Sequence, residues 1–180
     1  QEANISYREA IRLKPDYPEA HNNLANSLVK MLNFDDAVTH YLAAIRHKPE
    51  FAKAHFNLGT TFNLKGFPSN NNEVAIRHLE EAIRLEPNFS EAHLALGNVI
   101  IEKNDFNQGH LKTAIHHFKI STKIDPNNAI AHNSLGSALA GQRNFKQAIE
   151  HFNTALKINP RYVEAHQNLG TAFSILGKTE

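Results

Sequence analysis

Cysteine is absent from all 180 residues, which excludes a disulfide framework and thiolate metal sites. A reducing, cytoplasmic setting is the expectation that fits. No apolar run approaches the ~18–20 residues that a membrane span requires, so membrane insertion is not expected. Charge of either sign is not in excess: 19 Lys and Arg stand against 18 Asp and Glu, for a net charge of +1. That balance singles out neither nucleic acid nor an anionic membrane as partner. Several catalytic signatures are also missing. There is no phosphate-cradling glycine loop, no nucleophile elbow and no His-Glu-x-x-His helix. The pairs Asp35–Asp36 and Glu80–Glu81 fall where helix starts and solvated faces would put them. No signal or transit segment opens the chain, and a start at Gln1 leads us to expect a piece of something longer.

What is present is a repeat. Pro15, Pro49, Pro87, Pro126 and Pro160 are separated by 34, 38, 39 and 34 residues. Leu24, Leu58, Leu96, Leu135 and Leu169 show the same gaps in the same order, as do Ala3, Ala37, Ala75, Ala114 and Ala148. Three markers drifting in step define one unit. Each unit holds two stretches of helical period. The first is exemplified by KAHFNLGTTFNLK and the second by QAIEHFNTALKINP. The proline ends the second helix, because it cannot donate a backbone bond and disfavours helical geometry in the residue before it. Gly59, Gly97, Gly136 and Gly170, with Ala25 in the first full unit, follow the phase leucine. A mid-helix glycine costs about 1 kcal/mol relative to alanine, so close approach of two helices is the expected offset. Leu28, Phe62, Ile100, Leu139 and Phe173 are expected to fill space beside these small residues.

These residues resemble the tetratricopeptide repeat family over essentially the whole chain. The resemblance implies an all-α fold, a right-handed α-solenoid of stacked helix-turn-helix repeats. Histidine here takes the place of the family's frequent early tryptophan. The expected organisation is a single array. A half repeat (1–17) precedes full repeats 18–51, 52–89, 90–128 and 129–162, and a half repeat (163–180) follows. No polar capping helix is evident at the end. Phe173, Ile175 and Leu176 are left to pack elsewhere, and self-association through the uncapped terminal helices is one expectation. The two longer units carry four and five extra residues between phase leucine and alanine. These are expected in the inter-helix turns GFPSNNNE (66–73) and NDFNQGHLK (104–112). Tolerated insertion is the plain reading, and a partner-contacting protrusion is the alternative.

Twelve histidines invite a metal or acid–base reading. Nine recur once per repeat: His21, His55, His93, His132 and His166 lie three residues before the phase leucine. His40, His78, His117 and His151 each precede the large apolar residue of a second helix. Equivalent positions in successive repeats are too far apart to share one ion. They are expected to be half-buried packing groups. His110, His116 and His117 cluster locally without a fixed carboxylate, so no metal and no cofactor is expected.

The resemblance further implies that first helices line a concave, peptide-binding surface. The candidate residues flanking the phase leucines are Asn22, Asn23, Asn26, Phe56, Asn57, Thr60, Leu94, Asn98, Asn133, Ser134, Ser137, Gln167, Asn168 and Thr171. An amide carries donor and acceptor and pairs with a peptide backbone whatever its side chains. The set is uncharged, so binding is expected to respond weakly to salt. It is similar to the asparagine-lined superhelix of the O-GlcNAc transferases. Asn23, Asn57 and Asn168 keep that ladder, whereas Ala95 and Ser134 do not. A chaperone-type carboxylate clamp is not expected, because its lysine position is held by Asn22, Phe56, Leu94, Asn133 and Gln167. The function expected is a non-catalytic scaffold binding a protein or peptide segment. The alternative is the substrate-recruiting arm of a larger enzyme, such as a glycosyltransferase.

Overall fold

The structure is a computed structural model that describes residues 2–64, 71–102 and 108–177. Among these residues there are ten helices and no strand. The chain divides into two compact units, Gln1–Pro87 and Asn88–Glu180. The first contains α1 (Glu2–Leu13), α2 (Pro18–Lys30), α3 (Phe34–His47), α4 (Ala52–Phe62) and α5 (Asn72–Leu85). The second contains α6 (Ser90–Glu102), α7 (Gln108–Ile124), α8 (Ala129–Gly141), α9 (Phe145–Ile158) and α10 (Val163–Leu176).

Helix ends follow the local chemistry. Pro18 opens α2 at a position whose N–H would have no partner in any case. Asn128 and Asn144 accept from the backbone N–H of Ala131 and Gln147, at 3.1 and 3.4 Å, and so cap α8 and α9. Second helices close on the residue before each phase proline: Lys48, Glu86, Asp125 and Asn159 N–H donate to Ala44, Ala82, Ser121 and Ala155. In the two short repeats the first helix ends on a left-handed residue. Leu32 has φ 60° and Arg143 has φ 61°. The following N–H closes the turn, from Asn33 to Leu28 O at 3.0 Å and from Asn144 to Leu139 O at 2.9 Å. This is the geometry that glycine usually supplies.

Packing confirms the marker residues of the four full repeats, while Ala3 is exposed and Leu169 half-buried. Leu24, Leu58, Leu96 and Leu135 are buried, and Ala37, Ala75, Ala114 and Ala148 are fully so. Gly59, Gly97 and Gly136 sit where first and second helices cross, whereas at Gly170, where a crossing was also expected, nothing lies within 4 Å of an added Cβ. A Cβ added at Gly59 would lie 2.9 Å from Leu79 Cγ and 3.0 Å from the Ala75 carbonyl oxygen. At Gly136 it would meet the Phe152 ring at 2.6 Å and Ala148 O at 3.1 Å, and at Gly97 it would run into the Phe118 ring. Ala25 and Tyr41 are both buried in the core of the first full repeat. Tyr41 Oη donates to Asn26 Oδ1 at 2.6 Å, and burial pushes the phenol up to about 12.

The extra residues of the long repeats are not all turn. α3, α5 and α9 begin three residues ahead of Ala37, Ala75 and Ala148, whereas α7 begins six ahead of Ala114. Three of the five extra residues therefore lengthen a second helix by nearly one turn. Residues 66–70 and 104–107, the remainder of the two expected turns, lie outside the described residues.

Candidate functional site

The first helices place the candidate residues in two environments. In the first unit Asn22 is buried at 2% exposure. Its Oδ1 accepts from Asn57 Nδ2 at 2.9 Å, and its Nδ2 lies 3.4 Å from Asn23 Oδ1. Asn26 is engaged by Tyr41. Thr60 Oγ1 turns back on its own helix, 3.0 Å from the carbonyl oxygens of Phe56 and Asn57. Asn23 is exposed, while Phe56 and Asn57 are half-buried. In the second unit Asn133 is buried, and Asn168 Nδ2 lies 3.0 Å from its Oδ1 and 3.2 Å from Ser137 Oγ. Thr171 Oγ1 donates to Gln167 O at 3.0 Å.

Both units thus contain the same hydrogen bond between asparagine side chains 35 residues apart. The donor comes from the residue before one phase leucine, and the acceptor from two residues before the previous one. An asparagine offers two donors and two acceptor lone pairs. Asn57 and Asn168 therefore tie successive first helices together and keep capacity on Oδ1. The amide ladder is half committed to the fold.

The second unit brings several candidates around two adjoining depressions. One is lined by Asn98, Asn133, Ser134 and Ser137 together with Ile101, Glu102 and Phe118. The other is lined by Ser137, Asn168 and Thr171 with Ala140, Phe145, Phe152, Ala172 and Ile175. Leu94 (half-buried) and Gln167 (exposed) line neither. Ile101 and Glu102 were not among the sequence candidates. They lie three and four residues beyond Asn98, the helical spacing that shares a face.

Comparison with known proteins decides the family. Tetratricopeptide repeat profiles match residues 1–31, 22–66 and 129–162. These are tetratricopeptide repeats. Solved structures share the fold at low identity. A crystal structure of MamA is 22% identical over 88% of this chain and 87% of its own, with a TM-score of 0.72. MamA 41-end from Desulfovibrio magneticus RS-1 is 19% identical over 86% and 82%, with a TM-score of 0.73. TTC0263, described as a thermophilic TPR protein in Thermus thermophilus, is 17% identical over 94% and 88%, with a TM-score of 0.70. A search of the curated proteins returned no match.

The tetratricopeptide histidines are organised in a way that the sequence spacing did not reveal. Within each full repeat the first-helix histidine meets the second-helix histidine through Nδ1. The distances are 2.9 Å for His21–His40, 3.0 Å for His55–His78 and His93–His117, and 3.1 Å for His132–His151. His21, His55, His132 and His166 also place Nε2 at 3.0–3.2 Å from the carbonyl oxygen of Pro15, Pro49, Pro126 and Pro160. A carbonyl only accepts, so the network assigns the proton to Nε2. In the neutral pairs Nδ1 of the first-helix ring then accepts, and the second-helix ring donates from its own Nδ1–H. One added proton, on Nε2 of the second-helix ring, leaves the Nδ1–H···Nδ1 bond in place, whereas a second sets two N–H groups against each other. Burial first, and the charge of the partner ring second, push His78 and His117 down to about 4 and lower His40 and His151. Burial also lowers His55. These pairs join helix to helix within a repeat. Among the described residues no group of three or more His, Cys, Asp or Glu could hold a metal ion. No described helix is long and apolar enough to cross a membrane.

Proposed function

We propose that this tetratricopeptide chain is a non-catalytic scaffold that holds a segment of a partner protein against its first-helix faces. The observation that carries the reading is the pair of depressions on α8 and its neighbours. There exposed Ser137 and Thr171 and half-buried Asn168 stand beside apolar floors offered by Ile101, Phe145 and Ile175. Polar groups that satisfy a main chain beside apolar floors that take side chains are the arrangement of a peptide site. The remaining Oδ1 capacity of Asn168 adds an acceptor for a main-chain N–H there, and in the first unit Asn23 and Asn57 offer the same chemistry. Each such bond contributes on the order of 0.5–1.5 kcal/mol net.

A balanced charge supports a protein rather than a nucleic-acid partner, and the absence of cysteine supports a cytoplasmic setting. Asparagines at the register of the O-GlcNAc transferase ladder, Asn23, Asn57 and Asn168, support the second reading. In it, these four full and two half repeats recruit substrate for a glycosyltransferase. The test of the scaffold is to select peptides by display, then measure their affinity for a Ser137→Trp, Thr171→Trp variant. Both positions are exposed, so the variant is expected to fold and to lose binding by tenfold or more, about 1.4 kcal/mol. Unchanged affinity would place the site elsewhere.

A further inference from the structure

Charge is segregated in the second unit although the whole chain is nearly neutral. Its first helices, α6, α8 and α10, carry Glu91, Glu102 and Glu164 and no Lys or Arg. Its second helices carry the reverse. Between its ends α7 holds Lys112, Lys119 and Lys123 and no carboxylate, and α9 holds two lysines and one glutamate. The first helices of this unit thus carry carboxylates and no lysine or arginine.

One of those carboxylates stands at a shaped site. Glu102 lines the depression between α6 and α8 together with Ile101, which is 39% exposed, and the fully buried Phe118. Asn98, Asn133 and Ser137 form its polar wall. Glu102 is exposed, and among the described residues no cation pairs with it. An exposed apolar side chain beside a carboxylate has the chemistry of a receptor for a long basic side chain. The aliphatic stem lies on the exposed part of Ile101, and the charged head reaches Glu102.

We infer that the depression lined by Ile101, Glu102 and Phe118 selects a lysine or arginine of the bound segment, so that the partner is a basic peptide with apolar neighbours. The inference rests on the scaffold reading above and names the chemistry of its ligand. It also changes the salt expectation. The asparagine set alone is uncharged, but a Glu102 contact weakens as ions screen it over ~10 Å at 0.1 M.

The experiment uses a displayed library of short random peptides, selected separately against the parent chain and against Glu102→Lys. Parent selection is expected to enrich Lys or Arg flanked by apolar residues, and Glu102→Lys to enrich Asp or Glu at that place. For a parent-selected peptide, Glu102→Gln should weaken binding about 1.5- to fivefold at low salt, the range of an exposed ion pair. The difference should vanish at high salt, or when the basic residue of the peptide is replaced by norleucine. Circular dichroism verifies that both Glu102 variants keep the parent's helicity. If Ser137→Trp abolishes binding while both Glu102 variants select and bind as the parent does, the basic subsite is wrong and the scaffold reading stands. If Ser137→Trp leaves binding intact, both are wrong.

Discussion

Two first helices of the second unit carry nearly the same motif, AHNSLG in α8 and AHQNLG in α10, and meet different surroundings. In α8 the glycine lies against the Phe152 ring and the backbone of α9, and His132 is paired with His151. In α10 nothing lies within 4 Å of a Cβ built on Gly170, and His166 is exposed with its Nε2 on Pro160 O. Leu135 is buried where Leu169 is half-buried. The motif residues are therefore fitted to a second helix across the crossing. They do little for the helix that carries them.

Acid should give the largest effect, because it acts on all four histidine pairs at once. With folded pKa values lowered, the unfolded chain binds protons first as pH falls. Stability is full above the unfolded value of ~6.5, and declines progressively until the folded values, about 4 for His78 and His117, are reached. Urea titrations between these limits measure it. A flat profile would mean that the rings are not paired as described.

The glycine comparison comes next. Gly136→Leu forces the Phe152 ring and the α9 backbone apart and should cost about 1–3 kcal/mol or more. At Gly170 an added Cβ meets no atom within 4 Å and leucine replaces a poor helix former with a good one, so Gly170→Leu should be neutral or stabilising by up to ~0.8 kcal/mol. Equal losses in urea midpoints would show that the crossing is not the reason for the glycine.

A smaller contrast separates the two histidines. His132→Ala leaves His151 half-buried without its partner and should cost about 1–2 kcal/mol. His166→Ala removes an exposed ring and should stay within about 0.5 kcal/mol. A further small effect belongs to the turn between α8 and α9. Arg143→Gly relieves a left-handed residue at φ 61° but loosens the unfolded chain, for a net gain of about 0.5–1 kcal/mol in thermal unfolding.

The helices, their ends and the glycine crossings were legible because one leucine, one alanine and one proline keep phase through every repeat. The histidine pairs were not. His21 and His40 are 19 residues apart and His93 and His117 are 24 apart, so the spacing shifts with each insertion and only the crossing geometry makes it constant. The extension of α7 was hidden because turn-forming residues in NDFNQGHLK mark where a helix is discouraged, while packing decides where it starts. Asn22 and Asn133 look exposed by register, yet both are buried, because each receives an amide from the next first helix. Glu102 was overlooked since the candidate set was taken close to the phase leucine. The depression reaches one further turn along α6.

The absence of cysteine allows a direct test of the central claim, that a partner segment lies on the first-helix face. Ser137→Cys on α8 and Asn153→Cys on α9 are both exposed positions, and each can carry a single environment-sensitive fluorophore on the whole chain. Titration with a display-selected peptide should shift the emission of the Ser137 label, and the bulk of that label should weaken binding. The Asn153 label should remain silent. A response at Asn153 with none at Ser137 would contradict the account and move the partner to the second-helix side.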